Sequence, residues 1–247
     1  MLFGRERVTL FLGNFGSGKT EVAVNFAMHL ATGVREGAAG GGGEAVSLVD
    51  LDLVNPYFRS REPMAELMAH GVRVILPDAQ YMHADLPILA PEVRAALMAS
   101  TSHVILDVGG DDVGARVVGA LNDALPSGSY RALMVLNGNR PQTRDLAGIS
   151  RIRSEIERAA RIEVTGFVSN THLMGETTAA TVLGGYRLAR DAAAEAGLPL
   201  EFVTAPPDVV EEVAREVACE ILPLRRALSV PWLRQEERGG GRALFRL

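Results

Sequence analysis

Lys19 is the single lysine among the 25 basic residues of this 247-residue chain; all the others are arginine. The composition places a guanidinium wherever a generic positive charge would do, so the ammonium at position 19 reads as a chemical requirement. A compact point charge fits beside a phosphate inside a tight backbone loop where a planar guanidinium does not. The surroundings of Lys19 agree. An apolar, strand-like run, Val8–Leu12, leads into Gly13, Asn14, Phe15, Gly16, Ser17, Gly18, Lys19 and Thr20, and a helical run follows from Glu21 to Leu30. Gly13, Gly18, Lys19 and Thr20 satisfy G-x-x-x-x-G-K-[ST] between a strand and a helix, the context that motif needs. The glycines let successive backbone N–H groups turn inward to cradle phosphate oxygens, and the helix opening at Glu21 adds its positive dipole end. Lys19 would reach the β- and γ-phosphates and the Thr20 hydroxyl would ligate Mg²⁺.

Further strand-like runs at Ala45–Val49, Val72–Leu76, Val104–Leu106, Ala132–Leu136, Val164–Val168 and Leu200–Val203 bring the expected strands to seven. Most are short, apolar and unalternating, as strands covered on both faces are. Helical patterns lie between them at Pro63–His70, Pro91–Ala99, Val113–Leu125, Thr143–Ala160 and Thr177–Ala196, with Gly33, Gly71 and Gly197 placed as helix stops. The expectation is an α/β fold: a doubly wound, mostly parallel sheet of about seven strands with helices on both faces. Residues 1–230 are expected to form one nucleotide-binding domain. The glycine-rich 37–43 stretch reads as an inserted loop, and 231–247 as a flexible tail.

Ligands of such sheets bind at the carboxyl ends of the strands, where this chain turns polar five times over. Asp50 and Asp52 follow the second strand and share a face by the two-residue period of extended chain. One could support the hydration of a metal and the other orient an attacking water. Asp107 follows the apolar Val-Ile-Leu run, the position of a carboxylate that holds a metal or its water shell; Gly110, three residues on, could sense a γ-phosphate through its amide. Asn137–Thr143, Ser169-Asn170-Thr-His-Leu and Thr204-Ala-Pro-Pro207 complete the edge.

The phosphate loop, Val46-Ser-Leu-Val-Asp-Leu-Asp-Leu-Val-Asn-Pro56, Ile105-Leu-Asp-Val-Gly-Gly110 and Phe167-Val-Ser-Asn-Thr-His172, in this order, resemble the MinD/ParA/CobQ-type branch of phosphate-loop ATPases, over most of residues 8–207. The resemblance implies a nucleotide-gated ATPase with ATP and Mg²⁺ as cofactors, often dimerising with ATP sandwiched between subunits. It implies Asp52 as the water-orienting carboxylate, Asp50 as its neighbour, Asp107 on the metal side, Asn170 as an adenine contact and Pro206 flanking the base. The branch's signature lysine falls on Asn14, which carries no charge; Arg59, Arg61 or Arg116 could substitute. Asn170-Thr-His-Leu lacks the Lys and Asp of a guanine-reading N-K-x-D, so ATP is expected over GTP. The expected function is an ATP-dependent switch that hydrolyses slowly and pairs with itself or with a protein partner. The alternatives are an ATP-dependent synthetase of the CobQ or dethiobiotin-synthetase kind and, third, a metallochaperone GTPase, which the single Cys219 disfavours.

The net charge of −5 argues against a nucleic-acid partner, and the mixed signs on helix 143–160 read as a solvated face rather than a DNA-binding stripe. One cysteine permits no internal disulfide, and no apolar run reaches membrane-spanning length, so a cytoplasmic setting is expected. The tail's final residues are too few for stable lipid contact. Two stretches could meet a second ligand or partner: Asp78, Tyr81, His83 and Asp85, and Tyr57 with Phe58.

Overall fold

The computed structural model describes residues 6–37, 45–52, 61–76, 91–99, 102–110, 112–126 and 128–225. Eight strands form one sheet: β1 (Val8–Leu12), β2 (Ala45–Leu51), β3 (Val72–Ile75), β4 (Ser102–Val108), β5 (Tyr130–Leu136), β6 (Gly166–Ser169), β7 (Leu200–Ala205) and β8 (Glu220–Pro223). Their order is β3-β2-β4-β1-β5-β6-β7-β8, and every pairing is parallel. Each strand's carboxyl end therefore lies on one edge. The chain crosses from β1 over β4 to β2 and later returns to β5 on the other side, which opens a crevice beyond β1.

Alternation along β1 sets the two layers. Val8, Leu10 and Leu12 join the core with α3 (Pro91–Met98), α4 (Asp112–Leu121), α5 (Leu146–Ala160) and α6 (Ala179–Ala196). Phe11 turns the other way, into a second core with α1 (Lys19–Gly37) and α2 (Arg61–Ala69). There Phe11 meets Phe26 edge-on at 5.4 Å, and Phe26 stacks on Phe202 of β7 at 5.9 Å. Such pairs contribute about 0.5–1.5 kcal/mol each beyond their burial, and they seat α1, the helix that carries Lys19, against the sheet.

The expected doubly wound α/β architecture is what the chain forms, with eight strands instead of seven. The missed β8 is four residues ending in Pro223, at the sheet's edge where no outer strand requires the proline's absent N–H. Gly71 (φ +83°) and Gly197 (φ +65°) end their helices as expected. Gly33 does not: α1 continues to Gly37, because burial of Leu30 and Ala31 outweighs the roughly 1 kcal/mol cost of an interior glycine. The helix expected from Thr143 starts at Leu146, where the Asp145 side chain accepts the Gly148 N–H at 2.8 Å; Pro141–Thr143 forms a separate 3₁₀ turn. A short helix, α7 (Val210–Val213), precedes β8. No helix among the described residues is long and apolar enough to cross a membrane. Residues 38–43 of the glycine-rich loop, Asn55–Phe58 and Arg59, Asp78–Asp85 and the 231–247 tail lie outside the described residues, as does the side chain of Arg61.

Candidate functional site

Between β1 and α1 the chain must reverse within a few residues while keeping its amides free for a ligand, and glycine makes that possible. Gly13, Gly16 and Gly18 have φ of +144°, +76° and +84°. At Gly18 the space is as restrictive as the backbone: a Cβ would lie 2.3 Å from Asn170 Nδ2. The loop's carbonyls are held from outside it. Asn170 Nδ2, at the end of β6, donates to Ser17 O at 2.7 Å, and Arg140 Nε, beyond β5, donates to Gly16 O at 2.8 Å. Thr204 Oγ1, on β7, donates in turn to Asn170 Oδ1 at 2.5 Å. Lys19, 7% exposed, reaches back across the loop, Nζ to Asn14 O at 3.2 Å. Gly110 lies against the same ammonium, with so little room that a Cβ there would come within 2.8 Å of Nζ.

Behind Lys19 and Thr20 stands Asp107. In the sheet register it pairs with Phe11 of β1 and with Asp50 of β2, which places two carboxylates side by side below the loop. Asp107 is 1% exposed and neither oxygen has a hydrogen-bond partner. Burial raises its pKa to about 7; the facing Thr20 hydroxyl and the Lys19 ammonium pull it down, and Asp52 adds a smaller push upward. The Thr20 hydroxyl closes no bond of normal geometry in this state, so the carboxylate stays orphaned. An orphaned buried carboxylate beside a loop threonine hydroxyl suits Mg²⁺, which takes one or two protein oxygens and completes its shell with phosphate and water. Among the described residues no group of three or more His, Cys, Asp or Glu side chains could hold a metal alone. Asp50 is also buried; its Oδ1 accepts the Asp52 N–H at 2.9 Å, which turns the chain so that Asp52 reaches the cleft wall while Asp50 stays one layer below.

The loop opens into a cleft of about 640 Å³, within the usual range for small-molecule sites. Its phosphate side is Phe15, Gly16, Gly18–Glu21, Asp52, Gly110 and Arg140. Its far side comes from the ends of β6, β7 and β8: Asn170–His172, Met174, Thr204–Asp208, Leu224 and Arg225. Of the expected site residues, Phe15, Gly16, Gly18, Lys19, Thr20, Glu21, Asp52, Gly110, Asn170 and Pro206 line the cleft. Gly13, Asn14, Ser17, Asp50 and Asp107 back it. Arg116 is an exposed residue of α4 that does not line it.

The sequence places the Asn137–Thr143 stretch on this edge without singling out Arg140, and it does not mark the β8 segment. Arg140 sits in an irregular Asn-Gly-Asn-Arg-Pro stretch where nothing local marks it. Arg225 is brought in by Asn25, one helical turn past Glu21, whose side chain bonds both the N–H and the C=O of Arg225 at 2.9 and 2.8 Å across 200 residues. The resemblance places Asn170 against the base; in the fold its Nδ2 donates to Ser17 O and its Oδ1 accepts from Thr204 Oγ1. Replacing Asn170 with alanine is expected to cost about 1–3 kcal/mol, since Ser17 O and Thr204 Oγ1 each lose a buried partner. Urea unfolding at unchanged slope checks this, and a midpoint equal to that of the parent would refute it.

No family model matches the chain, nor does any curated protein sequence. Solved structures do share its fold. The signal recognition particle receptor FtsY from Elizabethkingia anophelis is 15% identical with a TM-score of 0.52, over 92% of this chain and 64% of that one. The signal recognition particle 54 kDa protein from Aeropyrum pernix, in complex with GDP, is 19% identical with a TM-score of 0.50, over 82% and 42%. FlhF complexed with GTP/Mg²⁺ is 15% identical with a TM-score of 0.50, over 81% and 66%. The chain thus spans less than two thirds of the length of each. At these identities the likeness establishes the fold, and the nucleotides belong to those proteins. It also corrects the kinship read from the motifs. The matched structures are of the signal-recognition-particle type, not of the MinD/ParA/CobQ branch, and the nucleotides named with them are GDP and GTP, not ATP. The expected ATP cofactor, the ATPase or ATP-dependent switch and the CobQ-type synthetase fall with that kinship. The physical reason is that a phosphate loop and carboxylates at the carboxyl ends of neighbouring strands suit phosphates and a metal whichever base is bound, so their spacing does not choose a branch or a base.

Proposed function

We propose that this protein binds a guanine nucleotide with Mg²⁺ and acts as a GTP-hydrolysing switch. The observation that carries the reading is the preformed phosphate cradle with Lys19 and Thr20 at its rim and Asp107 orphaned behind them. Thr20 and Asp107 would hold the metal, directly or through its water, and the metal would neutralise charge developing between the β- and γ-phosphates. Lys19 would bind the phosphates, with the loop amides from Asn14 to Thr20 around them. Asp52, at the cleft wall, would orient the attacking water while Asp50 holds it in place through its N–H. Gly110 would read the γ-phosphate, and Pro206 with the neighbouring β7 end would flank the base. Guanine is favoured because FlhF and the 54 kDa protein, which share this fold, hold GTP and GDP.

The cleft carries exposed Phe15 (70%) and Met174 (55%) in its lining, apolar side chains suited to cover by a second copy or a protein partner when GTP is bound. Residues 1–230 would be the nucleotide-binding unit, and the cytoplasm, where GTP is supplied, its place of work. Competition of GTP, GDP, ATP and ADP against a fluorescent guanine nucleotide tests the reading: GTP and GDP are expected to bind at least about tenfold tighter than ATP and ADP. Equal or reversed affinities would remove the guanine assignment, and no binding of any of the four would remove the function.

A further inference from the structure

We infer that Arg140, reaching over from the end of β5, is a positioning residue that holds the phosphate loop in its anion-binding shape through the Gly16 carbonyl and supplies a second cation beside that loop. The inference rests on the nucleotide reading above and goes beyond it, since neither the loop motif nor the fold assigns this arginine a role.

Arg140 Nε donates to Gly16 O at 2.8 Å across 124 residues of chain. The guanidinium packs directly on Gly16: a Cβ there would lie 2.8 Å from both Cζ and Nε and 3.0 Å from the terminal Nη2. Gly16 therefore serves twice, once for its φ of +76° and once for the approach of this side chain. The contact fixes one carbonyl, and Asn170 fixes the next, Ser17 O, at 2.7 Å from the neighbouring strand end. Two successive peptide planes are thus turned carbonyl-outward by side chains rooted on β5 and β6. A loop held in this way need not be ordered by the ligand, which is how preorganisation adds affinity.

The charge is the second part. Within residues 13–20 the only cation is Lys19. A Mg-bound triphosphate remains anionic, and Asp52 and Asp107 are close by. Arg140 is half-buried, lines the cleft beside Gly16 and has no ion-pair partner among the described residues. Its terminal nitrogens form the fork that suits phosphate oxygens. Its backbone is anchored by the turn it starts, Arg140 N to Asn137 O and Thr143 N to Arg140 O, both 3.0 Å, so the side chain departs from a set point.

Calorimetric titration of Mg-GTP and of inorganic tripolyphosphate with Mg²⁺ into the full chain, its Arg140→Ala variant and its Arg140→Lys variant tests the inference. Tripolyphosphate has no base or sugar and reports on the loop alone. Arg140→Ala is expected to weaken both ligands by about tenfold or more and by the same factor, and Arg140→Lys, which keeps a donor and a charge, to recover most of the loss. A merely structural role would lower the melting temperature of Arg140→Ala and leave affinities within twofold of the parent; that result overturns the inference. Loss of GTP affinity with tripolyphosphate unchanged overturns it too, because the arginine would then act at the base or sugar. If Arg140→Ala fails to fold, Arg140→Gln, which keeps a donor near Gly16 O without the charge, decides: weakening of both ligands by more than twofold supports the inference, and affinities within twofold of the parent overturn it. A parent chain that binds tripolyphosphate but not GTP defeats only the guanine reading, while one that binds neither defeats both.

Discussion

Changing Lys19 to alanine is expected to abolish measurable Mg-GTP binding. Lys19 is 7% exposed and its ammonium lies against the Asn14 carbonyl and the Gly110 backbone, so no water can take over its role at a bound phosphate. Removing one partner of a desolvated, hydrogen-bonded charge pair costs about 2–5 kcal/mol, a factor of roughly thirty to several thousand in affinity. No other lysine exists in the chain to compensate. Arg140 is tied through its Nε to the Gly16 carbonyl and does not take the place of Lys19. Calorimetry with Mg-GTP on a variant whose circular dichroism matches the parent measures this. Affinity within threefold of the parent would mean that phosphates do not sit in this loop.

Asparagine at position 107 is expected to separate stability from function in opposite directions. The Asp107 carboxyl titrates near 4 in an unfolded chain, and burial in the fold pushes it up to about 7. Between those values the unfolded chain has given up its proton and the folded one has not, so raising the pH penalises the fold. The penalty grows across that window and is fully present above about pH 7, where it amounts to a few kcal/mol; it disappears as the pH falls toward about 4. Asp107→Asn removes the ionisation. Without ligand, its melting temperature should exceed the parent's at about pH 8, with the gap closing toward about pH 5. The same variant should lose most of the Mg²⁺ dependence of GTP binding, because a neutral amide is a poorer Mg²⁺ partner than a carboxylate. Melts at two pH values and titrations with and without Mg²⁺ check both halves. A variant less stable than the parent at the higher pH, or one with undiminished Mg²⁺ dependence, would show that Asp107 is a structural acid.

These two residues differ in how openly the chain announced them. Lys19 is legible at once, since motif, flanking strand and lone ammonium all coincide on eight consecutive residues. Asp107 is half legible: its place after an apolar run marks a strand end, but its orphaned state depends on Phe11 and Asp50 being its sheet neighbours, which no local pattern reports. Asp50 and Asp52 show the limit of periodicity. The two-residue spacing puts both on one face only while the chain stays extended, and the Asp52 N–H bond to Asp50 Oδ1 turns it there, sending one carboxylate to the wall and the other beneath it.

Short-range physics determined what could be read from residues alone. Apolar runs between glycines and polar turns made an α/β sheet, and the G-x-x-x-x-G-K-T segment made a phosphate loop whatever lay around it. The roles of Arg140, Asn170 and Arg225 were decided only by tertiary structure. Each acts through a partner 124 to 200 residues away in sequence, joined across strand ends whose order, β1-β5-β6-β7-β8, arises from burying both faces of the sheet. A side chain that finishes a distant loop carries no periodicity and no neighbouring motif, so its chemistry exists only once the sheet has assembled.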